Sequence, residues 1–277
     1  MRTNHQPSIA VLANDLTSAA DGAAPFVARG LTASIGRGQL PRQAEAAAII
    51  AVDSGSRSAT ASQAFEAVAR LTARLASRTV LYKTVDSTLR GHITAELEAC
   101  FAASGRKALV FAPAFPQPVV RMAAALSRRF VPAKTLPPLL DGISSDVLVV
   151  IGSANLRSQR QADQLQKVRG VMLLRGPRTR EWDSAAVLRR IAQDAARELQ
   201  SPRFGALIAT GGDTMEAILD LLKVREFDIL QELDPGFPLG LARLGDGRSL
   251  LLAMKAGGFG SDDAVTRAVA RIRGATQ

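Results

Sequence analysis

Twice near the C-terminus of this 277-residue chain, an apolar run ends in a glycine pair that opens a patterned helix. The first stretch reads FGALIATGGDTMEAILDLL and the second LLLAMKAGGFGSDDAV. A strand that turns through glycines into a helix leaves bare backbone N–H groups at the positive end of a helix dipole. Such a point favours anions, phosphate above all. The turns at Gly211-Gly212 and Gly257-Gly258 are therefore candidates to face one nucleotide from two sides. No GxxxxGK[ST] segment occurs, so this is not a P-loop pattern.

A second concentration of useful chemistry is KTVDSTLRG, Lys83 to Gly91. It offers two cations, the carboxylate of Asp86, and the hydroxyls of Thr84, Ser87 and Thr88. Arg90 can hold a carboxylate through two parallel hydrogen bonds, and Lys83 can supply a point charge. Ser87 and Thr88 can donate to hydroxyl or carboxylate oxygens. An ordinary polar loop ahead of a capped helix has the same composition, and His92 reads as a helix-start residue. A third candidate is Asp15, just beyond the compact apolar run Ser8–Ala13. That is the carboxyl end of a first strand, where open α/β sheets bind ligands. Capping the helix that follows is a role Asn14 or Asp15 fits equally well.

These groups need a scaffold, and the hydrophobic pattern supplies one. Strands are predicted at Ser8–Ala13, Leu31–Ile35, Ala48–Val52, Thr79–Tyr82 and Lys107–Ala112. Between them lie helical patterns at Ala19–Arg29, Thr60–Ala76 and Ile93–Ala103, with Phe65, Val68, Leu71 and Leu75 at helical spacing in the second. Asp53-Ser54-Gly55-Ser56-Arg57 stands at the end of the strand Ala48–Val52, and a helix is predicted over Val119–Phe130. Val131–Asp146 is Pro-rich and without period, a candidate linker. The alternation then restarts. Strands are predicted at Asp146–Ile151, Val171–Leu174, Ala206–Ala209, Glu226–Leu233, Gly240–Leu244 and Ser249–Met254. Helices are predicted from Asn155 to about Lys167, over Ser184–Leu199, and over Ala264–Ile272. This pattern predicts α/β architecture with mostly parallel sheets and helices on both faces, in two domains, residues 1–145 and 146–277.

Composition narrows the function classes. Apolar content of 47% supports a full core, and no apolar run has the length of a membrane-spanning helix. The N-terminus lacks a signal-peptide pattern, which points to a cytoplasmic protein. A single cysteine, Cys100, excludes an internal disulfide and reads as a small buried hydrophobe. Two histidines, His5 and His92, exclude a His-rich metal site. Of 35 basic residues 29 are arginine, for a net charge of +10. They are scattered, without interleaved aromatics for base stacking, which suits an anionic metabolite better than sequence-directed nucleic-acid binding.

Seven segments resemble one family: NDLTSAAD (Asn14–Asp21), KTVDSTLRG, APAFP (Ala112–Pro116), IGSAN (Ile151–Asn155), TGGDT (Thr210–Thr214), PGFPLG (Pro235–Gly240) and KAGGFG (Lys255–Gly260). They resemble, in order and across nearly the whole chain, the four-carbon acid sugar kinases (DUF1537), a group that includes 3-oxo-tetronate, D-threonate and D-erythronate kinases. The resemblance implies two three-layer α/β domains, the first binding the acid sugar and the second the nucleotide, with the active site in the cleft between them. It implies transfer of the γ-phosphate of ATP to a hydroxyl of a short sugar acid, with Mg²⁺ held mainly through the ATP phosphates and no dedicated metal site in the protein. Carried over by motif, Ser153, Gly211, Gly212, Asp213, Thr214, Gly257 and Gly258 would contact ATP. Asp15, Lys83, Asp86, Ser87 and Arg90 would line the acid-sugar site. Asp15 would orient or deprotonate the attacking hydroxyl, and Lys83 and Arg90 would fix the substrate carboxylate.

Two departures accompany the resemblance. The family's paired aspartates read Asn14-Asp15 here, and the segment between Pro116 and Gly152 is contracted. A contracted first domain leaves sheet edges that a homodimer would cover. The alternatives to an active kinase are a nucleotide- or sugar-acid-binding relative with a regulatory role and a basic protein that binds nucleic acid or another partner.

Overall fold

The structure is a computed structural model and describes residues 8–86, 89–111, 140, 142–165, 168–179 and 182–276. The chain divides into two compact units, Met1–Ala133 and Lys134–Gln277.

In the first unit, β1 (Ile9–Ala13), β2 (Ala33–Arg37), β3 (Ile49–Asp53) and β4 (Val80–Lys83) form an all-parallel sheet in the order β4-β1-β3-β2. β1 and β3 are buried along their whole length. That is why both read as unbroken apolar runs rather than as alternating ones. Helices cover both faces. Gly22 of α1 (Leu16–Val27) comes up against Val11 on one face. On the other, α2 (Ala61–Leu75) and α3 (Ile93–Ser104) bring Val68, Leu71, Leu75, Ala99 and Cys100 onto Ala10, Leu12, Ile50 and Val52. Each large apolar side chain buried there contributes about 2 kcal/mol against solvent exposure. α2 begins with a capping box, Thr60 and Gln63 bonding each other's backbone N–H. Cys100 is buried, and burial pushes its thiol up from the usual range.

The second unit has a six-stranded sheet ordered β8-β9-β10-β7-β5-β6. It is built from β5 (Asp146–Ile151), β6 (Val171–Arg175), β7 (Phe204–Thr210), β8 (Glu226–Asp234), β9 (Phe237–Arg243) and β10 (Ser249–Lys255). β6, β5, β7 and β10 run parallel, while β9 is antiparallel to both β8 and β10. The helices are α4 (Leu156–Asp163), α5 (Ser184–Gln200), α6 (Gly212–Leu221) and α7 (Ala264–Ala275). Val265, Ala268, Val269 and Ile272 of α7 join Val147, Val149, Ile208 and Leu251 in one continuous core.

Both units are thus α/β with largely parallel sheets, as the pattern predicts. Three local expectations differ. Lys107–Phe111 is not a strand, and Leu109, Val110 and Phe111 are exposed. An apolar run makes a strand only when a neighbour completes its hydrogen bonds, and among the described residues none pairs with it. Phe65 is exposed, its place in the buried stripe of α2 taken by Ala64. The helix expected to reach Lys167 ends at Asp163. The helix expected over Val119–Phe130 and most of the Pro-rich segment lie outside the described residues.

Candidate functional site

Charged groups of the first unit gather at the carboxyl ends of β1, β3 and β4. Asp15 leaves β1 and caps α1, accepting from Ser18 N at 2.8 Å and Ser18 Oγ at 3.0 Å. Its Oδ2 also accepts from Arg57 Nη1 at 2.7 Å. Capping and site chemistry are therefore not alternatives here. Three of the roughly four acceptor positions of the carboxylate are filled, leaving about one for a further hydroxyl.

Arg57 sits in the single 3-10 turn Ser56–Ser58 after β3, and its backbone N donates to Asn14 O at 3.2 Å. Its Nη1 lies 3.9 Å from Asp86 Oδ1, so the guanidinium stands between Asp15 and Asp86. Arg90 grips Asp86 from the other side with Nε at 3.1 Å and Nη2 at 2.7 Å, a forked arrangement. The Arg90 side chain is 62% exposed while Asp86 is buried. Asp15, Asp86 and Arg90 are thus brought together, with Arg57 as the link. Ser87 lies outside the described residues.

Lys83 is engaged differently. Its ammonium is buried, donating to Glu96 Oε2 at 2.6 Å and to Thr84 O at 2.8 Å. Glu96 in turn accepts from Ser56 Oγ at 2.8 Å, so Lys83 supports the Arg57 turn from behind. Asn14 is buried, and among the described residues neither its Oδ1 nor its Nδ2 has a partner. A buried amide left unpaired costs about 1–3 kcal/mol.

Arg57 and Glu96 are the residues that sequence reasoning missed. The available signal was position: Arg57 ends the strand-end segment Asp53–Arg57, which a parallel sheet brings beside Asp15. Glu96 carries no comparable mark inside a helix.

In the second unit three loops meet at the carboxyl ends of the parallel strands β5, β7 and β10. Gly211 turns from β7 into α6 with φ +92, a conformation glycine reaches at little cost. Its N–H is bonded to Lys255 O at 2.9 Å, which ties this turn to the end of β10. Ser153, after β5, fills the space beside Gly257, where a Cβ would fall 2.5 Å from Ser153 Oγ. The Gly211 backbone faces both Ser153 and Thr214, and Thr214 packs directly on Gly152. Ser153, Gly211, Thr214 and Gly257 thus surround one spot, with Gly258 beside Asn155 and Gly212 opening α6. Asp213 is exposed in the first turn of α6.

The carbonyls of the second turn are taken up from the protein side. Lys255 Nζ donates to Ala256 O and Phe259 O, each at 2.8 Å. Ser158 Oγ donates to Gly257 O at 2.6 Å, and Arg157 Nη1 to Gly260 O at 2.8 Å. Gln161 Nε2 donates to Phe259 O and Ser261 O. The N–H groups of Gly257, Gly258 and Gly260 have no acceptor among the described residues. Asp262 and Asp263, which would oppose a phosphate, are paired with Arg160 and Arg267. Hydrogen bonds from Ser261 and Arg267 hold the Asp263 carboxyl below the usual range. Lys255 is buried, and desolvation, aided by Arg157, pushes its ammonium down to about 8.

The fold and these two clusters describe a two-unit α/β protein with an acid–arginine cluster in one unit and a glycine-lined cluster of strand-end turns in the other. The comparisons agree with that division. A sugar-binding N-terminal domain matches residues 9–122, and a nucleotide-binding C-terminal domain matches residues 177–265. A D-threonate kinase of Bordetella bronchiseptica is 26% identical over 399 aligned positions, covering 96% of this chain and 98% of the relative. That alignment is much longer than this chain, so the relative carries segments without a counterpart here. A 3-oxo-tetronate kinase of Pseudomonas fluorescens is 30% identical over 91 residues, 33% of this chain and 21% of that protein. A solved structure from Salmonella typhimurium LT2, described as a putative tRNA synthase, has a TM-score of 0.70 at 16% identity, covering 94% of this chain and 98% of the other, a likeness of fold alone. The chain belongs to the four-carbon acid sugar kinase family.

Proposed function

We propose that this protein is an ATP-dependent kinase that phosphorylates a hydroxyl of a four-carbon sugar acid, a tetronate or a 3-oxo-tetronate. The observation that carries this reading is the cradle of the second unit. Three strand-end loops converge there, with the amides of Gly257, Gly258 and Gly260 uncommitted among the described residues and the carbonyls that share their peptide units, Ala256 O, Gly257 O and Phe259 O, already satisfied. A nucleotide polyphosphate is the ligand such donors suit. The names of the two relatives, D-threonate kinase and 3-oxo-tetronate kinase, supply the acceptor class.

In this reading the first unit holds the sugar acid. Arg57 and Arg90, both anchored on Asp86, present guanidinium edges to the substrate carboxylate. Asp15 uses its remaining acceptor position to orient the attacking hydroxyl and takes its proton as the new P–O bond forms. ADP departs with the electron pair of the broken bond. Lys83, committed to Glu96, keeps the Arg57 turn in place. Among the described residues no three His, Cys, Asp or Glu side chains gather as a metal cage. Magnesium would be carried on the phosphate oxygens, where it neutralises charge.

A second reading is a relative that binds both ligands without transferring phosphate. It is favoured by the fact that the charged groups around Asp15 already satisfy one another. One experiment separates the two: ATP·Mg²⁺ is tested for a rise in melting temperature, and ADP release is followed across a panel of tetronates and 3-oxo-tetronates. The kinase reading expects both signals. It also expects Asp15→Asn to lower turnover about a hundredfold and Arg57→Met to raise KM for the acid. A melting shift without ADP release on any acid leaves the binding relative. Neither signal removes both readings.

A further inference from the structure

Lys255 is a buried cation with no carboxylate beside it among the described residues. Among those residues its ammonium is held by two backbone carbonyls of the turn that follows it. Burying a charge without a counter-ion is costly, and the core around β10 gains nothing from it that an apolar side chain would not supply. Its geometric consequence is definite. The peptide unit is planar and trans, so a carbonyl drawn one way sends the N–H of the next residue the other way. Lys255 and Gln161 draw Phe259 O inward, Lys255 draws Ala256 O, Ser158 draws Gly257 O, and Arg157 draws Gly260 O. The N–H groups of Gly257, Gly258, Gly260 and Ser261 are thereby turned away from those donors. Four side chains thus fix the polarity of one loop.

We propose that Lys255 is a positioning residue for the phosphate cradle: it does not touch the ligand, but with Ser158 and Gln161 it locks the carbonyl side of the 256–261 turn so that the amide side faces a polyphosphate, whose negative charge is the counter-ion the buried ammonium lacks. This deepens the nucleotide reading above and rests on it. Desolvation of Lys255 fits the same account, since an approaching anion relieves it.

The test uses the full chain and three probes: ATP, inorganic triphosphate and adenosine. Lys255→Met keeps the apolar stem and removes the charge. It is expected to weaken ATP and triphosphate binding about tenfold or more while leaving adenosine affinity unchanged. Ser158→Ala, a milder change one carbonyl along, is expected to weaken the same two probes about threefold to tenfold, and it decides the matter if the first variant does not fold. A purely structural lysine would lower all three affinities together or none, and either result overturns the inference. So does triphosphate binding in both variants equal to that of the parent. If the parent itself binds neither ATP nor triphosphate, the nucleotide reading falls and the inference with it, a result distinct from a parent that binds and variants that match it.

Discussion

Asn14 occupies a buried position at the end of β1 with both ends of its carboxamide unpaired among the described residues, a few ångströms from the Arg57 turn it supports through its own carbonyl. An amide that earned its place by packing alone would have been better replaced by a leucine of similar size. In the proposed sugar-acid site the same carboxamide would be placed beside Asp15 to bond the ligand. Asn14→Leu should therefore raise the melting temperature by a few degrees, corresponding to about 1 kcal/mol, while lowering turnover on the sugar acid. Melting and ADP-release measurements on that single variant check both halves, and a lowered melting point with full turnover would contradict the assignment. Residues of this kind differ in how visible they are beforehand. Asp15, Asp86 and Arg90 stand out because they fall in short polar segments after apolar runs. Arg57 is one of 29 arginines and is singled out only by the parallel register that sets Ala13 opposite Asp53.

At the scale of elements, what could be read was whatever depends on neighbours in sequence. Strand–glycine–helix turns are local events: at Gly211 the strand passes straight into α6, as the pattern predicts, whereas after Lys255 the residues 256–263 intervene before α7 begins. What could not be read depends on distant partners. KALVFA has the composition of a strand, yet the backbone of residues 107–111 finds no sheet among the described residues. That three turns converge on Ser153 follows from the order β10-β7-β5, which no local pattern encodes. The same convergence gives unequal tolerance to two adjacent glycines. A Cβ on Gly257 would lie 2.5 Å from Ser153 Oγ and 2.9 Å from Ser153 Cβ, whereas one on Gly258 meets only Asn155 Nδ2 at 3.5 Å. Gly257→Ala should accordingly lower both melting temperature and ATP affinity. Gly258→Ala should leave melting unchanged and weaken ATP alone, because in the proposed cradle the space it fills is the space a phosphate would take. Calorimetric binding beside thermal melts distinguishes them, and equal effects at the two positions would contradict the cradle geometry.

For the whole molecule, the net charge of +10 favours anionic ligands at long range, but the sharper consequence of charge concerns pH. Lys255 has its ammonium pushed from 10.5 down to about 8 in the folded chain. Below pH 8 both folded and unfolded chains carry that proton, and the folded chain bears the cost of burying it. Between about 8 and 10.5 the folded chain gives the proton up while the unfolded chain keeps it. The unfolded state then binds more protons, and stability rises with pH, by at most about 1.4 kcal/mol per unit. Cys100 and Tyr82 act in the opposite sense, since burial raises both; their stabilising contribution is lost as pH climbs beyond their ordinary values of 9.0 and 10.0. The interval from 8 to 9 therefore isolates the lysine among these shifted groups. Melting temperatures of the parent should rise across that interval, and those of Lys255→Met should not. Saturating ATP should abolish the parent's rise, because bound phosphate stabilises the protonated ammonium and carries its titration to higher pH. Parallel profiles for parent and variant without nucleotide would show that the lysine keeps its proton throughout, and that its burial is balanced by the two carbonyls alone.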